Sequence, residues 1–586
     1  MAYSRIFDII QHQLQTNPLE VCLARRYDKK NWTTYSTEKV IEIANKISSG
    51  LLQLGLKKGD KIAIVSINNR PEWQFLDLAC SQIGVITVPI YPTISSADYE
   101  YIFNHAEIKY LFVSDKIIYR KLREVVSKIP TIQAVYSFEE VDTIASLQSL
   151  YGDINQKAIG EVKASIDIHD VATIIYTSGT TGIPKGVMLT HNNIVSNVKD
   201  ALSIISVAKN AKTLSFLPLC HVFERTINYA YFAAGASIYY ADGLETISDN
   251  LQDIQPDYFT TVPRLLEKVF EKIVKKGKTL SGFQQKLFFW ALNLAESTPL
   301  EKEKSYLQNI KFSVADKLIF SKWRLALGNN IKAIICGSAP LQPKLATIFT
   351  NAGIPVLEGY GLTECSPIVS VIPLNQNCFR AGCVGRVLPS IEVKLANDGE
   401  ILVKGPSVMK GYYKDETATN ISISKDGWLS TGDIGEFTTD NFLKITDRKK
   451  DLFKTSGGKY IAPTPIENKM KESFFIENIA LVGDGEKYIA AIIQPNFLEL
   501  TNWANENHIK HQTNQDLTEN LEIKQLFKDI ISNFNTHLGK VEQVKDFILV
   551  DDEWTVDNEL LTPTMKLRRK KIKEFYQKEI NLIYNK

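Results

Sequence analysis

At 586 residues the chain exceeds an ordinary domain of about 100–200 residues, so more than one domain is expected. Its 44% hydrophobic and 23% charged content is that of a globular protein with ample core, and a net charge of +2 excludes a globally basic nucleic-acid binder. Seven scattered cysteines do not make a disulfide framework, no apolar run is long enough to span a bilayer, and Met1-Ala2-Tyr3-Ser4-Arg5-Ile6-Phe7-Asp8 lacks a signal-peptide core. A cytoplasmic protein is expected.

In the first 170 residues helix-like and strand-like segments alternate. Ser36 or Thr37 caps an apolar period through Val40, Ile43, Ala44, Ile47 and Leu51. Lys61-Ile62-Ala63-Ile64-Val65-Ser66 reads as a strand, Glu72 to Ile83 as a helix, and Val85 to Ile90 as a strand again. This alternation predicts a largely parallel sheet covered on both faces, with ligands at the carboxyl ends of its strands.

Val171-Ala172-Thr173-Ile174-Ile175-Tyr176 is a further buried strand, and it runs into Thr177-Ser178-Gly179-Thr180-Thr181-Gly182-Ile183-Pro184-Lys185-Gly186. Glycines permit close backbone approach, hydroxyls donate or ligate, and Lys185 adds charge, which together make a phosphate cradle. The spacing fits neither Gly-x-x-x-x-Gly-Lys-Ser/Thr nor Gly-x-Gly-x-x-Gly.

Thr213 to Arg225 reads as a strand ending in a polar turn that holds His221; a histidine among apolar neighbours is equally a structural residue. From Arg264 to Arg324 there are 13 Lys/Arg against 6 Asp/Glu, interleaved with Phe283, Phe288, Phe289 and Trp290. Such a helical region suits either a solvated surface or contact with anionic lipid. Next, Ala333 to Pro340, with Gly337, Ser338 and Ala339, and Pro355 to Glu364, with Glu358, Gly359, Tyr360 and Gly361, are apolar strands entering glycine-rich turns. A nucleotide fits there: Tyr360 offers a stacking face, Thr363 a hydroxyl for a phosphate oxygen, and Glu364 a hard carboxylate for Mg²⁺.

Residues 391–394 and 400–404 predict a β-hairpin around Asn397-Asp398-Gly399. Asp433 follows in a glycine-rich turn suited to accepting hydrogen bonds from ribose hydroxyls. Asp447-Arg448-Lys449-Lys450-Asp451-Leu452-Phe453-Lys454 is a charged segment before a small αβ unit, and Thr455-Ser456-Gly457-Gly458-Lys459-Tyr460 a glycine loop. Strands are expected at 479–483 and 488–493, and polar helices over 499–540. The chain closes on a basic stretch around Lys566.

The phosphate loop, the Gly-Tyr-Gly-Leu-Thr-Glu block, Asp433, the 447–454 segment and the Lys566 segment occur in the order of the adenylate-forming superfamily, which this sequence resembles. The resemblance implies an α/β fold of the acyl-CoA synthetase/luciferase type: a large N-terminal domain of sheets flanked by helices with a β-rich subdomain (1–446), and a small mobile α+β C-terminal domain (447–586). It further implies that Lys566, Glu364 and Arg448 are catalytic. ATP would be held by Thr177, Ser178, Gly179, Thr180, Thr181, Gly182, Lys185, Gly337, Ser338, Ala339, Glu358, Gly359, Tyr360, Gly361, Thr363, Asp433, Arg448, Lys450 and Lys454, and Mg²⁺ by Thr177 and Glu364. Asp447 would be the hinge, Gly457 and Gly458 would face the CoA channel, and His221 would line the acyl site.

The Pro-Leu-x-His-x-x-Glu-Arg and Thr-Pro-Thr-x-Lys-x-x-Arg forms and the extended 264–324 region look like long-chain fatty acyl-CoA synthetases. The implied substrates are a fatty acid, ATP and CoA, with Mg²⁺ as cofactor. A homodimer, and peripheral contact of 264–324 with the anionic inner membrane surface, are further expectations. An adenylate-only fatty acyl-AMP ligase, a medium-chain or aryl acid ligase, and a non-catalytic scaffold are the alternatives.

Overall fold

The computed structural model describes residues 3–28, 30–177, 183–374, 379–562 and 565–585. By its internal contacts the chain forms two compact units, one of residues 1–394, 402–431 and 438–443, the other of 395–401, 432–437 and 444–586.

Among the described residues the first unit is built on two large sheets, one of eight strands and one of nine. Into the eight-stranded sheet go β1 (Lys61–Val65), β2 (Ile86–Ile90), β3 (Val171–Thr177) and β4 (Lys185–Thr190), between which runs α1 (Pro71–Gln82). β1 and β2 pair in parallel, β2 pairs with β3 through Thr87 and Thr173, and β3 and β4 form an antiparallel pair. The nine-stranded sheet takes β5 (Lys212–Ser215), β6 (Tyr258–Thr261), β7 (Ala333–Cys336) and β8 (Val356–Gly361) as parallel neighbours, with α2 (Val222–Ala234) following β5. Their buried apolar sequences carry no solvent-facing alternation because parallel sheets are covered on both faces.

All twelve residues of α1 are buried, and so are the first eleven of α2. A helix buried all round has no polar face to offer water, which is why both depart from a simple amphipathic stripe. Ser36 caps the helix Thr37–Gln53, its hydroxyl accepting from the Lys39 amide at 3.2 Å, as the sequence predicts. The basic region resolves into α3 (Pro263–Lys278), α4 (Gly282–Ser297) and α5 (Tyr306–Ala315), and a π turn over Asp316–Phe320 follows. β9 (Ile368–Val371) runs antiparallel to β8, and β10 (Gly411–Tyr412) antiparallel to β4.

The second unit has its own apolar core around Ile479, Leu481, Ala491, Ile493, Leu500 and Phe527. It contains α6 (Pro463–Met470), a three-stranded sheet of β11 (Ile476–Val482), β12 (Ile489–Pro495) and β13 (Val544–Leu549), and α7 (Arg569–Phe575). The helices Phe497–Glu506, Asn514–Glu519 and Leu521–Asn535 fall in the polar stretch read as helical. One correction concerns Asp433, expected in a turn: it lies inside the strand Leu429–Phe437 and is 4% exposed. Gly432 takes φ +72° without breaking that strand, so its positive φ did not mark a chain reversal.

Candidate active site

The frame of the first unit's site is the Glu224-Arg225 pair, which fastens α2 to both sheets. Arg225 is 1% exposed; it pairs with Asp77 of α1 and donates to Thr173 of β3 at 2.7 Å and Thr87 of β2 at 2.8 Å. Its Nε donates to the Tyr229 hydroxyl at 2.9 Å. Glu224, one residue earlier, turns to the other sheet and accepts from Ser215 of β5 at 2.5 Å and from Thr260 of β6. Loss of hydration lifts its carboxyl to about 7, only partly opposed by these hydroxyl donors. Sequence reasoning gave neither residue a role, because several of their partners are remote: Thr260 lies 36 residues from Glu224, and Thr173, Thr87 and Asp77 lie 52, 138 and 148 residues from Arg225.

Three residues ahead, His221 is the N-cap of α2: its Nδ1 accepts from the Phe223 amide at 3.1 Å. The Tyr91 ring lies edge-on to it, centroids 6.5 Å apart, and the Tyr91 hydroxyl is buried with no hydrogen-bond partner among the described residues. Tyr91 was not foreseen; an isolated tyrosine at a strand end carries no signal in a linear sequence.

Thr177 ends β3 opposite Lys185, the first residue of β4. Ser178, Gly179, Thr180, Thr181 and Gly182 lie outside the described residues. The Lys185 ammonium stands over the Tyr412 ring at 4.9 Å, and the Tyr412 hydroxyl donates to Glu364 at 3.0 Å. Backbone bonds fix this arrangement: the Tyr413 amide donates to the Gly186 carbonyl at 2.7 Å, and the Met409 amide to the Glu364 carbonyl at 2.8 Å. Burial raises the Tyr412 phenol well above its ordinary value, and the Glu364 charge adds to the rise, so it stays a donor. The structure therefore brings the phosphate-loop lysine and the predicted metal carboxylate to one place, through a tyrosine that no motif announced.

β7 ends with Cys336 opposite Glu358 of β8. A Cβ on Gly337 would stand 3.3 Å from the Phe223 ring, which puts this turn against the His221 segment. A Cβ on Gly361 would come within 1.9 Å of the Pro367 carbonyl oxygen, so only glycine fits the bend from β8 into β9. Ser338 takes φ +71° between Gly337 and Ala339. Gly359 precedes a half-buried Tyr360, and Thr363 is buried. Glu358 is 6% exposed, one of its carboxylate oxygens has no hydrogen-bond partner among the described residues, and desolvation raises it to about 8. A protonated carboxyl with an unsatisfied oxygen, on β8 beside the last residue of β7, is a polar group for a ligand to meet.

In the second unit, Asp433 pairs with Arg448 at 2.9 Å, and the two are close enough to Lys566 to shift it. Lys566 is exposed as a residue, yet its ammonium is held at about 8, first by lost hydration and then by Arg448, with Asp433 opposing. The Lys566 amide donates to the Thr562 hydroxyl at 3.0 Å and the Thr562 amide to the Lys566 carbonyl at 2.8 Å. Lys449, which drew no assignment, bonds Asp398 at 2.6 Å and Glu400 at 2.8 Å, while Glu400 accepts from the Gly432 amide at 2.9 Å. This braces the strand that carries Asp433.

Asp447 accepts from the Thr464 hydroxyl at 3.0 Å and the Thr464 amide at 3.3 Å, capping the first turn of α6 from outside. Arg569, three residues past Lys566, pairs with Glu467 of the same helix. Gly457 and Gly458 form the turn between the short strands Phe453–Lys454 and Tyr460–Ile461, and Gly458 takes φ +79°. Lys454 lies 5.4 Å from the Tyr460 ring, and Lys450 is in the turn after Arg448.

Comparison with known proteins agrees along the whole chain. The AMP-binding enzyme family matches residues 10–413 and the AMP-binding enzyme C-terminal domain residues 450–586. The chain is 31% identical to the long-chain-fatty-acid–CoA ligase FadD15 of Mycobacterium bovis, over 95% of this chain and 93% of that protein. It is 33% identical to the peroxisomal long chain acyl-CoA synthetase 6 of Arabidopsis thaliana, over 94% and 81%. With human long-chain-fatty-acid–CoA ligase 1 it shares 31%, over 99% and 86%. Among solved structures, the adenylation domain of a carboxylate reductase from Mycobacterium chelonae superimposes with a TM-score of 0.77 at 21% identity, covering 99% of this chain and 91% of that one. ATP-bound MatB from Rhodopseudomonas palustris gives 0.72 at 20%, covering 98% and 99%, and these two likenesses speak for the fold. The chain belongs to the AMP-binding enzyme family, among the long-chain-fatty-acid–CoA ligases.

Proposed function

We propose that the chain joins a long-chain fatty acid to CoA in two steps. The fatty acid carboxylate attacks the α-phosphorus of ATP, the bond to pyrophosphate breaks, and an acyl-adenylate forms. The CoA thiolate sulfur then attacks the acyl carbonyl carbon and AMP leaves. The observation that carries this reading is the Lys185–Tyr412–Glu364 array at the end of the β3–β4 pair.

In that array Lys185 and the Thr177 hydroxyl hold the β- and γ-phosphates, while Tyr412 keeps the Glu364 carboxylate aimed. Hard oxygens from Thr177 and Glu364 fit Mg²⁺, which prefers few protein ligands and completes its shell with phosphate. When bound it neutralises charge on the pyrophosphate leaving group. Gly337, Gly359 and Gly361 let the nucleotide lie against the backbone, Glu358 gives its unsatisfied carboxyl to the base, and Asp433 holds the ribose. Lys566 and Arg448 stabilise negative charge between carboxylate and α-phosphate. Tyr91 and His221 form the polar end of the acyl site. Residues 447–586 turn about Asp447 between the two steps, so that Lys566 serves the first and the Gly457 loop the second. Contact of the 264–324 region with an anionic membrane brings the enzyme to its substrate, at the cytoplasmic face.

AMP and pyrophosphate release with Mg-ATP tests this, using acetate, benzoate, octanoate and palmitate, each with and without CoA. Turnover with palmitate that requires CoA is the expected result. Pyrophosphate release independent of CoA would make the protein an adenylate-only ligase, and a preference for octanoate or benzoate would overturn the chain-length assignment.

A further inference from the structure

Helix α5 has a composition that its own packing does not explain. Of its ten residues only Ala315 is buried. Yet Tyr306 is 80%, Leu307 69%, Ile310 46% and Val314 44% exposed. At 3.6 residues per turn these four positions fall within about 100° of the helix circumference, and Leu318 extends the row into the π turn. Soluble surfaces scatter single apolar residues; a contiguous row rimmed by polar groups marks an interaction face.

The charges around the row favour one occupant. From Ser305 to Arg324 the chain carries Lys311, Lys317, Lys322 and Arg324 against one acid, Asp316, and Arg324 donates to that acid at 3.0 Å. Lys311, Lys317 and Lys322 are exposed and form no ion pair among the described residues. Apolar side chains on one face with free lysines beside them are the pattern of a helix lying in the headgroup region of an anionic bilayer. A self-associating face would instead set these like charges against their own copies, since a two-fold interface is self-complementary. The substrate chemistry points the same way, since a long-chain fatty acid partitions into membranes.

We propose that α5 is a membrane-docking helix that inserts Tyr306, Leu307, Ile310 and Val314 among the acyl chains of an anionic leaflet, with Lys311 and Lys317 at the phosphates. The proposal rests on the ligase reading and narrows its membrane contact from a 61-residue basic region (264–324) to one helix face.

The test is flotation of the full chain with phosphatidylcholine vesicles, with and without phosphatidylglycerol, at low and high salt. Binding only to the anionic vesicles, weakened by salt, is expected. Leu307→Glu/Ile310→Glu/Val314→Glu should lose binding at least tenfold, while palmitate turnover in detergent solution is unchanged. Turnover of palmitate embedded in anionic vesicles should fall by the same factor. Lys311→Gln/Lys317→Gln provides a second arm that leaves the apolar row intact, and it should bind anionic vesicles several-fold more weakly. Wild-type protein that stays with the soluble fraction, or variants that bind as it does, would overturn the proposal. So would a wild-type dimer in gel filtration that the triple variant abolishes, which would give the face to a second copy. Loss of the ligase reading appears differently, as silence with every acid in detergent.

Discussion

Two sets of charges in this molecule are built on opposite terms. Around α2, Arg225 and Asp77 are out of water, and every nitrogen of the guanidinium has a partner. Around Lys566, the charges are open: Lys566 is exposed, Arg448 keeps half its side chain in solvent, and the lysine's charge is disfavoured by its neighbour. A buried charge that is fully partnered can do nothing further with a ligand; it fixes α2 against α1 and the strands β2 and β3. A cation that is partly desolvated and set beside another cation gains by receiving an anion. Charge density alone therefore does not mark chemistry, and the closed set and the open set call for different experiments.

The largest effect is expected where the closed set is opened. Arg225→Ala leaves the Asp77 carboxylate buried without its cation and removes the donors to Thr173 and Thr87, at a cost of about 3–5 kcal/mol. Urea denaturation followed by fluorescence measures it. The double variant Asp77→Leu/Arg225→Met removes both charges at similar volume and should recover most of the loss. A double variant as unstable as the single one would mean that the ion pair itself, and not the uncompensated charge, holds α2 in place.

Next comes the open set. Lys566→Ala should slow acyl-adenylate formation by about 10²–10³-fold, the range for removing a donor from a developing charge, with little change in thermal stability. Thioester formation from supplied acyl-adenylate should be spared, and equal loss in both steps would remove Lys566 from its role. Gly457→Leu is the reciprocal variant. Gly457 is the better position than Gly458, because a Cβ there meets nothing closer than 4.0 Å, whereas Gly458 takes φ +79° and any side chain strains it. The CoA step should fall while pyrophosphate release persists.

Much of this was legible in the sequence, and the exceptions have a common cause. The strands around residues 61, 86, 171, 333 and 356, the Ser36 cap and the glycine turns follow from local pattern, and the motif order gave the fold. Where the deciding partner is remote, the chain gave no sign: Thr173 and Thr87 for Arg225, Glu364 for Tyr412, Glu400 for Lys449. β13 was missed for the same reason, since Val544–Leu549 is a strand only by parallel pairing with β12. Asp433 was misplaced because its glycine neighbour suggested a turn in a segment that the sheet keeps extended.

Glu358 belongs to neither set: it is buried like Arg225, and one of its carboxylate oxygens has no hydrogen-bond partner among the described residues. Its folded value of about 8 lies above the ordinary carboxyl value near 4.3. For a raised carboxyl the folded state binds the extra proton, so the stabilising contribution is complete below about pH 4 and is lost as pH rises through about 8. Glu358→Gln keeps the shape and cannot ionise. The variant should lose less stability than the wild type between pH 5 and 8, by on the order of a few kcal/mol, in melts taken across that range. Parallel profiles would mean that the carboxyl finds a partner in solution.

The smallest expected effect belongs to the contact that links Lys185 to Glu364. Tyr412→Phe keeps the ring beneath the Lys185 ammonium and removes one hydrogen bond to a half-exposed carboxylate, a change of about 1 kcal/mol or roughly fivefold in rate. If Tyr412 aims Glu364 at the metal, the loss should appear as a higher Mg²⁺ requirement for adenylate formation and be relieved by excess Mg²⁺. Tyr412→Leu removes the ring as well, and the cation above it should lose its hold on the phosphates, raising the KM for ATP. A Phe variant that shifts the ATP requirement and leaves the Mg²⁺ requirement alone would assign Tyr412 to Lys185 instead. The same tyrosine serves a cation through its face and an anion through its hydroxyl, and only the paired substitutions separate the two.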